Sequence, residues 1–298
     1  MRILITGSNG MLGGELCGVL GKGNEVFGLD LSDAGTGGKE LEGFFKADIS
    51  SGQGLKDIFG STRPDVVIHA AAMTDVDGCE RYKEKAEQIN VTGTRNVAEA
   101  SNAVNADMVY ISTDFVFGGR ASEPYSESDK TSPLSCYGRT KLQGEDMVRQ
   151  RAGRWSIIRT SWLYGPGGRN FVDTVIRKAC KEGELKVVDD QKGSPTLTTD
   201  LARALESFLK LEAQRRQGVF HVSNRGICTW FEFSREIIRI KGVEGVVLRP
   251  ISSEKLRRPA ERPSFSAMSG DKFTQVTGHT MPLWKDALQR YLKERKDA

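Results

Sequence analysis

Histidine and cysteine are scarce in this 298-residue chain, with three of the first and five of the second. Cys17, Cys79, Cys136, Cys180 and Cys228 stand far apart and form no Cys-x-x-Cys pair. An odd, scattered set excludes a disulfide framework, leaves no legible metal site and fits a reducing, cytoplasmic setting. Long apolar runs are missing too. The opening Met1-Arg2-Ile3-Leu4-Ile5-Thr6-Gly7 breaks at glycine, too short for the apolar core of a signal peptide. No later run approaches membrane-spanning length. The net charge is only +4, with lysines and arginines scattered among acids, so no basic arm asks for nucleic acid. A mild positive field still suits an anionic small molecule. What remains, 38% hydrophobic and 28% charged, is an ordinary globular composition with no repeat or low-complexity segment. The length allows one large domain or two unequal ones.

Residues 2–6 read as a buried strand that runs into Gly7-Ser8-Asn9-Gly10-Met11-Leu12-Gly13-Gly14 and the helical spacing of Leu12, Leu16, Val19 and Leu20. The first glycine permits a tight turn, the second lets backbone approach a pyrophosphate, and the third lets helix pack on strand. Gly7, Ser8, Asn9, Gly10, Met11 and Leu12 are therefore candidate cofactor-binding residues, with the helix N-terminus aimed at the phosphates. A second strand over 25–30 ends on Asp30, about twenty residues on, where a dinucleotide site needs an acceptor for ribose hydroxyls. A carboxylate there repels a 2′-phosphate, favouring NAD over NADP on electrostatics.

After a Gly-rich link, a third strand over 44–49 ends on Asp48, placed for the adenine amino group, and Ile49, placed against its ring. The fourth, over 64–72, is apolar enough to be covered on both faces. Its closing Ala70, Ala71 and Ala72, with Thr74 beyond, leave room for a cofactor to cross the sheet edge. His69 lies inside this apolar strand, which favours a hydrogen-bonded core histidine over a catalyst. A long helix is expected over 80–102, carrying Asn90, a further cofactor candidate. A fifth strand over 107–113 ends in hydroxyls, and a sixth covers 155–162.

Between them, Tyr137 and Lys141 are spaced to share one face at the start of a helix. A lysine cation beside a phenolate favours the charged form, so the pair is a candidate for proton delivery. Strands alternating with helices predict an α/β fold with a doubly wound parallel sheet of Rossmann type. Residues 1–165 form the NAD(P)-binding domain in this reading, and 166–298 a smaller C-terminal substrate lobe. The lobe would hold helices over 170–181, 199–211 and 230–240, strands over 185–188 and 219–222, and an Arg/Pro-rich piece over 257–263, its helices near 198–213 packing back on the sheet.

Taken together, the Gly-x-x-Gly-x-x-Gly turn, Thr113 and Tyr137-x-x-x-Lys141 resemble the extended short-chain dehydrogenase/reductase superfamily. Within it the chain is most similar to the dTDP-4-dehydrorhamnose reductases. That likeness is carried by Ser112-Thr113-Asp114-Phe115-Val116-Phe117, Pro133-Leu134, Arg159-Thr160-Ser161-Trp162-Leu163-Tyr164, Asn170-Phe171, Asp190-Gln191, Gly193, Pro195-Thr196 and Arg262-Pro263. The resemblance implies that Tyr137 donates the proton, Lys141 lowers its pKa and holds the nicotinamide ribose, and Thr113 bonds the sugar carbonyl. It places Asp114, Trp162 and Asn170 near the substrate and makes Arg262 a candidate grip on the diphosphate of a nucleotide sugar. It further implies NAD or NADP in reduced form as hydride donor, and a homodimer. Where the family usually reads Ser-Thr-Asp-Tyr-Val-Phe-Asp-Gly, this chain has Phe115 and Gly118, a difference bearing on substrate choice. A nucleotide-sugar epimerase or another keto-sugar reductase would need the same triad. The regulatory beta subunit of methionine adenosyltransferase also resembles this family and would make the chain a cofactor-binding partner.

Overall fold

Alternate residues of the apolar segments go to opposite sides of one sheet, as strand geometry requires. Ile3 and Ile5 of β1 (Arg2–Thr6) enter one core cluster while Leu4 between them enters the other. The same alternation holds in β4 (Val66–His69), where Val66 and Ile68 face one layer and Val67 the other. The computed structural model describes residues 1–33 and 41–294, and most of the Gly-rich link after β2 (Glu25–Asp30) lies outside them. With β3 (Gly43–Lys46), β5 (Asp107–Thr113), β6 (Arg154–Thr160) and the strand Gly218–His221, these form a seven-stranded sheet whose pairs are all parallel. Its order is Gly218–His221, β6, β5, β4, β1, β2, β3, the doubly wound arrangement with its switch point between β1 and β4.

Helix α1 (Met11–Leu20) covers one face, and α2 (Leu55–Thr62) the other. The single helix expected over 80–102 is broken. Its course is α3 (Val76–Arg81), α4 (Lys83–Glu87), a π-helical turn Gln88–Gly93 and α5 (Thr94–Ala103), with Tyr82 outside helical geometry at φ −126 and ψ 60. The π turn carries Asn90 inward, and such turns relieve a local mismatch in helical register. Helix α6 (Cys136–Arg151) is started by Ser135, whose hydroxyl accepts from the Gly138 amide at 3.2 Å.

Past the sheet's sixth strand, α7 (Phe171–Ala179) and the helices Trp230–Lys241 and Trp284–Glu294 gather around their own core of Tyr164, Val172, Phe233, Trp284 and Leu288. A small parallel pair, Glu184–Val188 with Val247–Ile251, flanks them. Helix α8 (Thr198–Leu209) leaves this group and packs Leu201, Leu205 and Phe208 with Leu12 and Leu16 of α1. The strand expected over 219–222 runs over Gly218–His221. It pairs with β6 through Val219–Ile157 and Phe220–Ile158, which extends the main sheet by one strand.

Candidate active site

The carboxyl ends of β1, β2, β4, β5 and β6 open onto a cleft of about 1010 Å³. Gly7 turns the chain at its floor with φ +72, and a Cβ there would lie 2.7 Å from the Ala71 nitrogen. At Gly13 a Cβ would lie 2.0 Å from the Gly7 carbonyl oxygen, so only glycine lets α1 start so close to β1. Gly10 is the N-cap of α1 and offers no side-chain cap, which leaves the first helical amides facing the cleft for an anion. Asp30 accepts from the Asn9 amide at 3.0 Å and from the amide and hydroxyl of Ser32, with carboxylate capacity to spare.

Gly7, Asn9, Gly10, Met11, Leu12, Asp30, Asp48, Ile49, Ala70, Ala71, Ala72, Thr74, Thr113, Asp114, Tyr137, Lys141 and Trp162 all line the cleft, as placed from sequence. Ser8 does not, because its hydroxyl lies against Gly28 of β2. Asn90 is likewise absent from the lining. Its amide accepts from the Met73 amide at 2.8 Å and donates to the Met73 carbonyl and to Thr140, bracing the loop after β4 against α6. Asp48 lies beyond the end of β3, which stops at Lys46, and there caps the Ser50 amide at 2.8 Å. His69 bridges Thr6 at 2.6 Å and Thr94 at 3.0 Å, and burial lowers its pKa to about 3: it is a core residue.

The phenol and the amine are arranged differently from the simplest reading of their spacing. Burial pushes Tyr137 well above the ordinary phenol range, with a hydrogen bond from Thr113 acting the other way and Asp114 and Cys79 adding to the rise. Lys141, 3% exposed, donates to the Ile111 carbonyl at 2.7 Å and stands 4.0 Å from the centre of the Tyr110 ring. Its burial lowers the amine to about 7, against the pull of Glu145. Lys141 is thus held by β5. Asp114 is buried beside Thr113, which donates to it at 3.1 Å, and burial lifts its carboxyl to about 7 against the bonds from Ser266 and Thr113.

Three of the residues placed from sequence have partners within the protein or lie outside the expected element. The Arg262 guanidinium is bound to Asp77 of α3 at 2.9 and 3.1 Å and to the Ala260 carbonyl. Asn170 is the N-cap of α7, accepting from the Asp173 amide while donating to the Gly165 carbonyl and the Tyr291 hydroxyl. The strand expected to carry Trp162 ends at Thr160, and Trp162 takes φ +48 beyond it.

The whole chain has known counterparts. Residues 1–296 match the family described as the RmlD substrate binding domain. This chain belongs to that family. The spore coat polysaccharide biosynthesis protein SpsK of Bacillus subtilis is 39% identical over 298 residues, covering 100% of this chain and 99% of the relative. A dTDP-4-dehydrorhamnose reductase of Clostridium acetobutylicum superposes with a TM-score of 0.90 at 40% identity, covering 99% of each chain. Another, from Bacillus anthracis and solved in complex with NADP, superposes at 0.89 with 36% identity, again over 99% of each chain.

In this RmlD-family chain the structure also brings to the cleft, or directly behind its wall, residues that sequence reasoning passed over. Glu145, fully buried one turn beyond Lys141, takes a hydrogen bond from Ser112 and two from Arg159 of β6. Burial raises its carboxyl, but Arg159, Ser112 and Arg149 outweigh this and hold it below the usual range. The i, i+4 continuation of Tyr137 and Lys141 was the available signal for it. Trp230, at the start of its helix, stacks on Trp162 with ring centres 3.5 Å apart and planes 5° from parallel. A second cavity of about 1180 Å³ adjoins the cleft across Val76, Phe115 and Trp230; its wall mixes the bases Lys178, Lys186, Arg257, Arg258 and Arg262 with acids such as Glu184 and Asp190.

Proposed function

We propose that this protein transfers hydride from NAD(P)H to the C4 ketone of dTDP-4-dehydro-L-rhamnose, giving dTDP-L-rhamnose. The observation that carries the reading is the meeting, in one cleft, of an uncapped glycine-turn helix start with Thr113, Tyr137 and Lys141. Family membership and the near-complete coverage of reductase relatives support it. The nicotinamide cofactor, when bound, supplies the hydride.

The residues present fit such a dinucleotide. The amides of Met11 and Leu12 at the uncapped start of α1 take its diphosphate, Asp30 takes a ribose hydroxyl, and Asp48 and Ile49 border the adenine end. Hydride addition to a ketone leaves negative charge on oxygen, and that charge is met by proton delivery and hydrogen bonds. Tyr137, held above the ordinary phenol range, is protonated at neutral pH, the state a proton donor starts from. Thr113 turns to the same oxygen the hydroxyl that donates to Asp114 in the free protein, and Lys141 stands at the cleft wall with its Nζ on the Ile111 carbonyl. Arg258, exposed at the second cavity and within the field of Asp77 but outside any ion pair among the described residues, takes the diphosphate together with or in place of Arg262, which lines the same cavity. In this reading the residues after 165 that stand outside the main sheet form the substrate lobe. The carboxylate of Asp30 favours NADH. The site of action is the cytoplasm, where scattered free thiols persist, and the assembly a homodimer, as the resemblance implies.

The test is to mix pure protein with NADH or NADPH and dTDP-4-dehydro-L-rhamnose and follow nicotinamide absorbance. Loss of absorbance that depends on the sugar is expected. A flat trace with both cofactors sinks the assignment.

A further inference from the structure

Trp162 and Trp230 stand where the two cavities meet. Trp162 lines the cleft that holds Tyr137 and Thr113, whereas Trp230 lines both this cleft and the charged cavity beside it, whose wall includes Arg257, Arg258 and Arg262. A sugar that reaches Tyr137 while its diphosphate lies among the arginines has to pass this pair. Yet the two indoles are closed on each other, 3.5 Å apart and 5° from parallel.

The two rings are not equally free. A Cβ at Gly193 would lie 2.5 to 2.8 Å from three atoms of the Trp162 indole, so backbone rests directly against that ring. Trp162 also holds a left-handed backbone, φ +48, an unfavourable state for a bulky residue that the surroundings impose. Trp230 has its backbone pinned by the reciprocal capping of Thr229 and Glu232, but its ring borders the open second cavity. Phe171, 4.4 Å away and tilted by 53°, offers that ring a second resting face. A full face-to-face sandwich is also an arrangement that aromatic quadrupoles favour less than offset or edge-to-face contact.

We propose that Trp230 is a substrate-contacting residue, the movable half of an aromatic clamp: its indole occupies the face of Trp162 that the sugar ring takes, and swings away to close on the sugar from the other side. The inference rests on the nucleotide-sugar reading above and adds the residue that grips the sugar.

Stacked indoles couple their excitations and give a far-ultraviolet circular dichroism couplet, which Trp230→Ala identifies by removing it. Wild-type protein is titrated with dTDP-L-rhamnose, and separately with dTDP, while calorimetry follows binding of each. Loss of the couplet with the nucleotide sugar and its persistence with dTDP are expected. A couplet that survives saturation with dTDP-L-rhamnose overturns the clamp, as does one that dTDP alone abolishes. Trp230→Ala, checked for folding by its melting curve, is expected to raise KM for the sugar nucleotide by up to about tenfold, the worth of one aromatic face, with KM for the nicotinamide unchanged. An unaltered sugar KM also overturns it. Normal turnover with a persistent couplet sinks the clamp and leaves the reductase reading standing, whereas no binding of either ligand sinks both.

Discussion

Replacing Lys141 by methionine is expected to stabilise the protein while removing its activity, and the stabilisation is expected to fade as pH rises. The amine is buried between β5 and α6, and burial brings its pKa from 10.5 to about 7. A buried ammonium therefore costs stability, since the unfolded chain keeps its proton at pH values where the folded one releases it. At and below about pH 7 the cost is full; between there and 10.5 unfolding takes up a proton, so wild-type stability rises with pH. The shift corresponds to roughly 4 kcal/mol at neutral pH. Against this, the variant leaves the Ile111 carbonyl without its donor, about 1 kcal/mol, and forfeits the contact with the Tyr110 ring, about 1 kcal/mol more. A net gain of about 2 kcal/mol in unfolding free energy remains for Lys141→Met at pH 7. Urea unfolding of both proteins from about pH 6 to pH 10 measures it, and taking the difference cancels the titrating groups that Lys141 does not act on. A variant less stable than wild type at pH 7, or a difference that grows toward pH 10, refutes the reasoning.

Tyr137→Phe should abolish turnover with cofactor affinity nearly unchanged, and equal turnover would remove the phenol from the reaction. Asp30→Ala should move the ratio of NADH to NADPH use toward NADPH; an unaltered ratio means that Asp30 does not read the ribose. Gly13→Ala forces a Cβ to within 2.0 Å of the Gly7 carbonyl oxygen and should cost about 3 kcal/mol, visible as a lowered melting temperature and weaker cofactor binding. The two arginines should separate: Arg262→Ala strips Asp77 of its partner and costs about 2 kcal/mol of stability, while Arg258→Ala leaves the melt alone and raises KM for the sugar nucleotide. The opposite pattern would return the diphosphate to Arg262.

Features written in short stretches of sequence were legible in advance. The glycine turn was readable because strand, tight turn and helix start are neighbours in the chain, and each glycine answers a local steric demand at Gly7 and Gly13. Tyr137 and Lys141 share a cleft because helical spacing alone puts them on one face. The alternation of apolar residues fixed which side chains of β1 and β4 face each layer. Tertiary structure decided what each polar group is bound to. Arg262 and Asp77 are far apart in sequence, and no local pattern says that the guanidinium is spent on an ion pair. Asn170 has the composition of a ligand contact and the geometry of a helix cap. Lys141 has the spacing to touch a phenolate, yet the Ile111 carbonyl claims it. Strand Gly218–His221 joins the main sheet, and Trp230 comes to rest on Trp162, only once the chain has closed. The reason is physical: periodicity and steric freedom act over one or two turns of chain, whereas a charge or an indole spends its contacts on whatever the fold brings beside it.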